Sequence, residues 1–477
     1  MTPHTPDPIW THVDQRQARF IALADRIWDT PETNFEEYQS AAEHVAMLRD
    51  EGFRVSTGVA GMPTAMMAEA GEEGPVIAFL GEYDALPGLS QQAGVAQVSP
   101  VVPGGAGHGC GHNLLGAGAL LAAAAIKAWL ADERLPGRVR YYGCPAEEGG
   151  SAKGFMVRAG LFDDVDAAIS WHPAPLAAVN TPISLACMEL IFEFRGRAAH
   201  AAASPELGRS ALDALELMSV GVNYLREHMS GSARVHYAIV DGGGTAPNVV
   251  QAKTAVRYMV RARELDDELL PLVARVRKIA QGAALMTETQ VTDRVVAADA
   301  NLIGNTPLEK LMQVQLERLG PPQFDTGDRR FADAIRATLS PSEIRSAFTR
   351  FGIPPRPDLP LCDFVVPLTC GRGETVGSTD MGTVSWAVPV VQARGATYAI
   401  GTPGHSWQLV AQGKSSIAHK GMVHAAKLMA ATAGALLTDP TTLSAARADF
   451  AARLSGRSFV NPIPDDVFPD LPSGVAA

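Results

Sequence analysis

Cysteine is scarce in this chain: five residues in 477, at positions 110, 144, 187, 362 and 370, with no Cys-x-x-Cys spacing among them. An odd number of widely separated thiols argues against a disulfide framework and for a reducing compartment, so a cytoplasmic protein is expected. Clusters of lysine and arginine are also missing and the net charge is −11. That excludes nucleic acid as the main partner, because phosphate binding needs concentrated positive charge. No basic segment followed by an apolar core opens the chain, so no secretory signal is expected. The longest apolar run, Leu114 to Leu130, contains Lys127, several alanines and two glycines, which suits close packing inside a protein better than a lipid-facing span. No Gly-x-Ser-x-Gly elbow occurs, and the loop from Gly105 to Gly111 neither completes Gly-x-Gly-x-x-Gly nor leads into Lys-Ser or Lys-Thr. Serine-hydrolase and nucleotide chemistry thereby lose their main signals.

With 47% hydrophobic and 19% charged residues, the chain reads as globular and long enough for two domains. Gly107-His-Gly-Cys-Gly-His-Asn113 sets a thiol and an imidazole two residues apart in a glycine-rich turn just before an apolar helix. A helix N-terminus is expected to favour the Cys110 thiolate. Three strand-like runs then end in groups able to bind a metal or move a proton. Val76 to Leu80 leads into Glu82 and Asp84, Val139 to Cys144 leads into Glu147 and Glu148, and Ala167 to Trp171 ends in His172. Ligands of open α/β sheets bind beyond the carboxyl ends of the strands, so these side chains are expected to converge beside the Cys-x-His turn. Neighbours in an extended segment point to opposite sides, which lets Glu147 and Glu148 do different jobs. Taken singly, each signal has a plainer reading: a small core cysteine, an acidic loop, a hydrogen-bonded strand-end histidine, a turn at Gly401 to His405.

Apolar periodicity from Val13 to Gly52 predicts two amphipathic helices. Alternating strands and helices up to His172 predict a mostly parallel sheet covered on its faces. After Pro182 the order becomes strand, helix, strand, strand, helix, strand, which describes a ferredoxin-like α+β unit. The expected division is a catalytic domain in two parts, 1–185 and 299–477, interrupted by an inserted domain, 186–298. Leu308 to Leu319 reads as a returning helix, Phe331 to Leu339 as partly helical, Ser385 to Ile400 as strand-like pieces, and Gly421 to Leu437 as an Ala-rich helix. The rest of 321–367 carries no clear pattern.

Taken together, Gly109-Cys-Gly-His-Asn113, Pro145-Ala-Glu-Glu-Gly149, Trp171-His-Pro173, Arg197-Ala-Ala-His200 and Gly404-His405 resemble the amidohydrolase branch of the di-metal aminoacylase and carboxypeptidase family. Gly81 to Ser90, His405 to Val410 and Gly413 to Lys420 are similar to the aminobenzoyl-glutamate-utilising group of that branch. The resemblance implies an aminopeptidase-like α/β catalytic domain with two divalent ions, zinc or manganese, and an inserted lid that also forms a dimer interface. It further implies Cys110, His112, Glu148, His172 and His405 as metal ligands, Glu147 as general base, and Asp84 as the group orienting a ligand. In the family pattern His200 acts on the partner subunit's substrate and Asn248 contacts it. The implied reaction is hydrolysis of an N-acyl or N-aroyl amino acid, p-aminobenzoyl-glutamate first. A different acyl amino acid or dipeptide is one alternative, and a non-catalytic partner of a paralogous subunit is another. The dimer is expected with a second copy or with such a paralogue. Asn113 and Thr379 stand where the branch usually has Asp and Glu, which alters the charge behind the ligands. For a glutamyl carboxylate, Arg195, Arg197, Arg261 and Arg372 are all candidates.

Overall fold

A computed structural model describes residues 7–180, 184–370 and 377–472; Pro182 and Arg372 lie outside them. Eleven strands are present among the described residues, in chain order β1 (Arg54–Thr57), β2 (Met66–Ala70), β3 (Val76–Glu82), β4 (Arg138–Cys144), β5 (Ala167–Ala174), β6 (Ala178–Val179), β7 (Ala186–Arg195), β8 (Arg234–Asp241), β9 (Lys253–Ala262), β10 (Gln290–Asp299) and β11 (Val390–Ala396). Seven of them make a mixed sheet in the order β1-β2-β4-β3-β5-β11-β6. Its centre, β4-β3-β5-β11, is parallel, and antiparallel strands flank it.

β3 shows why the centre reads as one apolar run. Ile77 and Phe79 enter the core on one face, and Val76, Ala78 and Leu80 enter the core on the other. A parallel strand with helices on both sides has no wet face, so alternation disappears. The helix His112–Glu133 covers one face. It is long and apolar enough to cross a membrane, yet most of it is buried in this core. Its alanines and glycines let it lie close: a Cβ on Gly116 would meet the Glu82 carbonyl at 2.6 Å, and one on Gly118 would meet the Trp171 ring at 2.9 Å. The helix Ser416–Thr438 packs beside it against β11 and β5.

The other four strands form a separate antiparallel sheet, β10-β7-β9-β8, with the helices Ala211–Leu225 and Leu270–Thr287 contributing Leu215, Met218, Val222, Val273 and Val276 to its buried side. Strand-helix-strand-strand-helix-strand with this order is the ferredoxin-like arrangement. Two expectations need correction. Ser385 to Ile400 is not all strand, because Met381–Ala387 is a buried helix before β11. Within 321–367, the helices Thr326–Arg336 and Pro341–Thr349 each begin with a reciprocal capping box, at Asp325 and at Ser340.

Candidate active site

Five segments meet at the carboxyl edge of the parallel strands. Cys110 sits in the turn before the helix His112–Glu133, whose first residue is His112 and whose N-cap, Gly111, has a left-handed φ of 82°. Glu147 and Glu148 follow β4, His172 lies on β5, and His405 comes from the turn after β11. The His405 backbone N–H donates to the Gly109 carbonyl at 2.9 Å, tying the two turns together. Cys110, His112 and His172 form one group of potential ligand atoms lying within 4.8 Å of one another, as do Cys110, Glu148 and His405, and Glu82, His112 and Glu147.

Hydrogen bonds set the orientation of these groups. Asp84 Oδ1 lies 2.8 Å from His112 Nδ1, and Asp84 Oδ2 accepts from the Glu148 backbone N–H at 2.9 Å. One carboxylate thus fixes an imidazole and the adjacent loop, leaving His112 Nε2 turned inward. His172 Nδ1 lies 2.8 Å from the Pro173 carbonyl, which turns Nε2 toward Cys110 Sγ at 3.3 Å. Glu82, which sequence reasoning noted only as a strand end, is held by Lys153 Nζ at 2.7 Å, and the same buried lysine binds Asp380 at 2.5 Å. Asp380 closes the Gly-Ser-Thr-Asp stretch. Asn113 has a different use: its amide donates to the carbonyls of Ala24 and Gly413, a task an aspartate cannot perform.

Burial dominates the electrostatics. It pushes the Cys110 thiol up to about 12, with Glu148 adding to the effect. The expected helix-terminus stabilisation of a thiolate is therefore outweighed by desolvation and a nearby carboxylate. Glu147 is raised well above the ordinary carboxylate range by burial and by Glu82, Glu148 and Asp380. His172 is lowered by burial and then by Arg394, which keeps it neutral. Three buried atoms, Glu82 Oε2, His112 Nε2 and Glu148 Oε1, have no hydrogen-bond partner among the described residues. The first two face each other at 3.2 Å. Carboxylate oxygens and an imidazole nitrogen crowded together without a hydrogen bond, with a thiol and further imidazoles beside them, are what a divalent cation would satisfy, so the residues fit such ions.

His200 and Asn248 are not part of this gathering. Both are exposed on a turn of the four-stranded unit, where the Ala201 N–H donates to the Asn248 carbonyl. The cleft above the cluster, about 370 Å³, is instead lined by Arg261, Asp299 and Arg394 among others.

A parallel α/β sheet whose carboxyl edge gathers a thiol, three imidazoles and paired carboxylates is the make-up of a metallohydrolase. Residues 78–343 match the model of the peptidase family M20/M25/M40, and the chain belongs to that family and is a hydrolase. It is 46% identical over 468 residues to the B subunit of p-aminobenzoyl-glutamate hydrolase from Escherichia coli (strain K12), covering 96% of this chain and 97% of the relative. It is 29% identical over 464 residues to Xaa-Arg dipeptidase from Mus musculus, covering 94% and 93%. The solved aminobenzoyl-glutamate utilization protein from Klebsiella pneumoniae shares the fold, with a TM-score of 0.56 at 18% identity over 86% of this chain and 97% of that one.

Proposed function

We propose that this hydrolase cleaves the amide bond of an N-aroyl amino acid, p-aminobenzoyl-glutamate first, to release p-aminobenzoate and glutamate. The observation that carries the reading is the cluster of potential metal-ligand atoms beside Glu147, several of them buried without a hydrogen bond, supported by the 46% identity to a relative of that name over nearly the full length.

In this reading Cys110, His112, Glu148, His172 and His405 would hold two divalent cations. When bound, such ions acidify water and polarise a carbonyl. A thiolate with imidazoles favours zinc, and the carboxylates also accept manganese. Glu147 Oε takes the proton of the attacking water and passes it to the leaving amine, and its surroundings, which favour the protonated carboxyl, suit the second half of that task. Asp84 engages His112 through Nδ1, so that Nε2 is the atom that would face a bound ion. His200 Nδ1 accepts from the N–H groups of Ala202 and Ala203. That places its proton on Nε2, the donor a developing oxyanion needs.

The family resemblance implies that His200 and Asn248 serve the site of a second subunit, and their exposure outside the cluster leaves them free to do so. β8 is an edge strand, with Tyr237, Ile239 and Val240 exposed on it, and an apolar edge of this kind is suited to pairing with another chain. That chain is a second copy or a paralogue; the Escherichia coli relative, named as one of two different subunits of its hydrolase, supports the paralogue.

The test is release of p-aminobenzoate from p-aminobenzoyl-glutamate by the purified chain, before and after chelation, with zinc or manganese added back and bound metal counted. Release that stops on chelation and returns with metal is expected. Glu147→Gln should reduce turnover by about 10²–10⁴-fold or more with metal content unchanged. Loss of metal together with activity would show that Glu147 is a ligand. Metal binding without release, for this and other acyl amino acids, would favour the non-catalytic partner.

A further inference from the structure

Arg394 stands beside the metal-ligand candidates but belongs to none of their ion pairs. It lies on β11 directly across from His172 on β5, and paired neighbours on adjacent strands share a face of the sheet. Two cavities meet at this pair. One is the cleft that also holds Glu147 and His405; the other, about 300 Å³, extends past Tyr398 and Arg350. Arg394 is held in place: its Nε donates to Asn180 Oδ1 at 3.1 Å, and Asn180 Nδ2 donates to Gln392 Oε1 at 2.8 Å. That chain of hydrogen bonds uses one donor and leaves the outer nitrogens of the guanidinium without a hydrogen-bond partner among the described residues.

No carboxylate forms an ion pair with Arg394 among the described residues. Glu343, which lines the second cavity, is already engaged in capping its helix through Ser340. The Arg394 side chain is therefore fixed at one nitrogen and open at the other two, facing both cavities. A pre-oriented guanidinium fork is suited to bidentate capture of a carboxylate. To the same cleft the lid supplies a second guanidinium, Arg261, from β9. It too has no ion pair among the described residues; its guanidinium donates to Met259 Sδ.

We infer that Arg394 receives the side-chain carboxylate of the substrate's amino-acid half, so that the site selects acylated dicarboxylic amino acids. This rests on the hydrolase reading above. One carboxylate needs one guanidinium, and a cleft lined by two of them, one from each sheet, matches a two-carboxylate leaving group. Sequence reasoning considered four other arginines. Arg195 and Arg197 are exposed on the lid, and Arg394, in an apolar strand, carried no motif to mark it.

The test compares two substrates that differ only at the distal group, p-aminobenzoyl-glutamate and p-aminobenzoyl-glutamine, on the metal-loaded enzyme. The wild type should prefer the glutamate conjugate in kcat/KM by about 10- to 150-fold, the range for charge-assisted hydrogen bonds. Arg394→Gln should lose that factor on the glutamate conjugate, mostly through KM, while changing the glutamine conjugate less than about threefold. Arg394→Lys should fall between, because it keeps the charge and loses the fork. In parallel, calorimetric titration of the metal-loaded protein with glutamate and with glutamine reads the same preference without turnover. A chain that hydrolyses nothing but binds glutamate in preference to glutamine through Arg394 overturns the catalytic reading and keeps this one. Equal loss on both substrates in Arg394→Gln, or a wild type that does not distinguish them, would overturn the assignment.

Discussion

Glu37 lies beneath the loop that carries Glu147 and Glu148, and one of its oxygens accepts from the N–H groups of both Phe35 and Ala146. Those two residues have left-handed φ values of 60° and 51°, so a single carboxyl group secures two strained positions beside the site. Burial, assisted by Asp84, raises its pKa from 4.5 to about 8. A raised acid pKa means that the folded state keeps a proton the unfolded state has lost. No cost exists below about pH 4.5, a cost grows as pH rises from there, and it is complete above about pH 8. In chelated protein, Glu37→Gln should therefore gain stability relative to wild type as pH rises through that window, by at most about 1.4 kcal/mol per pH unit. Thermal melts of both proteins from pH 5 to 8.5 check this; a wild type that gains on the variant with rising pH would mean the carboxylate is ionised and held by its donors. Local pattern singled out Cys110, His112, Glu147, Glu148 and His172, each at the end of an apolar run or in a glycine-rich turn, while His405 and the roles of all six came from the family resemblance. Glu37, Lys153 and Arg394 were not legible, since nothing in their neighbourhoods along the chain distinguishes them from ordinary charges. Only folding brings Lys153 to Glu82 and Asp380.

At the scale of elements, close approach decides which glycines matter. On the helix His112–Glu133, Gly116 abuts the Glu82 carbonyl and His44 Nε2 at 2.6 and 2.7 Å from where a Cβ would sit. Gly116→Ala should lower stability by about 1–3 kcal/mol, despite alanine's better helix propensity, and displace the helix that begins at His112. Gly282, on the helix Leu270–Thr287, meets nothing within 4 Å, and Gly282→Ala should raise stability by about 0.5–1 kcal/mol. Chemical denaturation with metal retention as a second readout separates the two; equal effects would show that packing against Glu82 does not control the helix position. Most long elements were legible from their periods. Pro341–Thr349 was not, although Ser340-Pro-Ser-Glu343 spells its capping box, because a nine-residue helix with a weak apolar stripe gives periodicity too little length. β1 and β2 pair antiparallel at the sheet's edge, a pairing that depends on the hairpin's partner and not on the strands' own composition.

For the molecule as a whole, the proposed role of His200 at a partner's site would make activity a property of an assembly. If each lid serves its partner's site, a chain with His200→Ala and a chain with Glu147→Gln should each be inactive alone. Mixed under conditions that allow subunits to exchange, they should recover about a quarter of wild-type activity, because half the dimers then contain one intact site. No recovery with demonstrated exchange would place His200 in its own subunit's site. By itself the sequence determined the chemistry available and the local structure: the donor types at strand ends, the helix and strand periods, and an inserted strand-helix-strand-strand-helix-strand unit. These follow from interactions between near neighbours in the chain. What only the tertiary structure decided is which donors go without partners, that Arg394 stands opposite His172 with no carboxylate of its own, and that desolvation outweighs a helix terminus at Cys110. Burial and long-range charge are set by residues that lie far apart in sequence, so no local pattern records them.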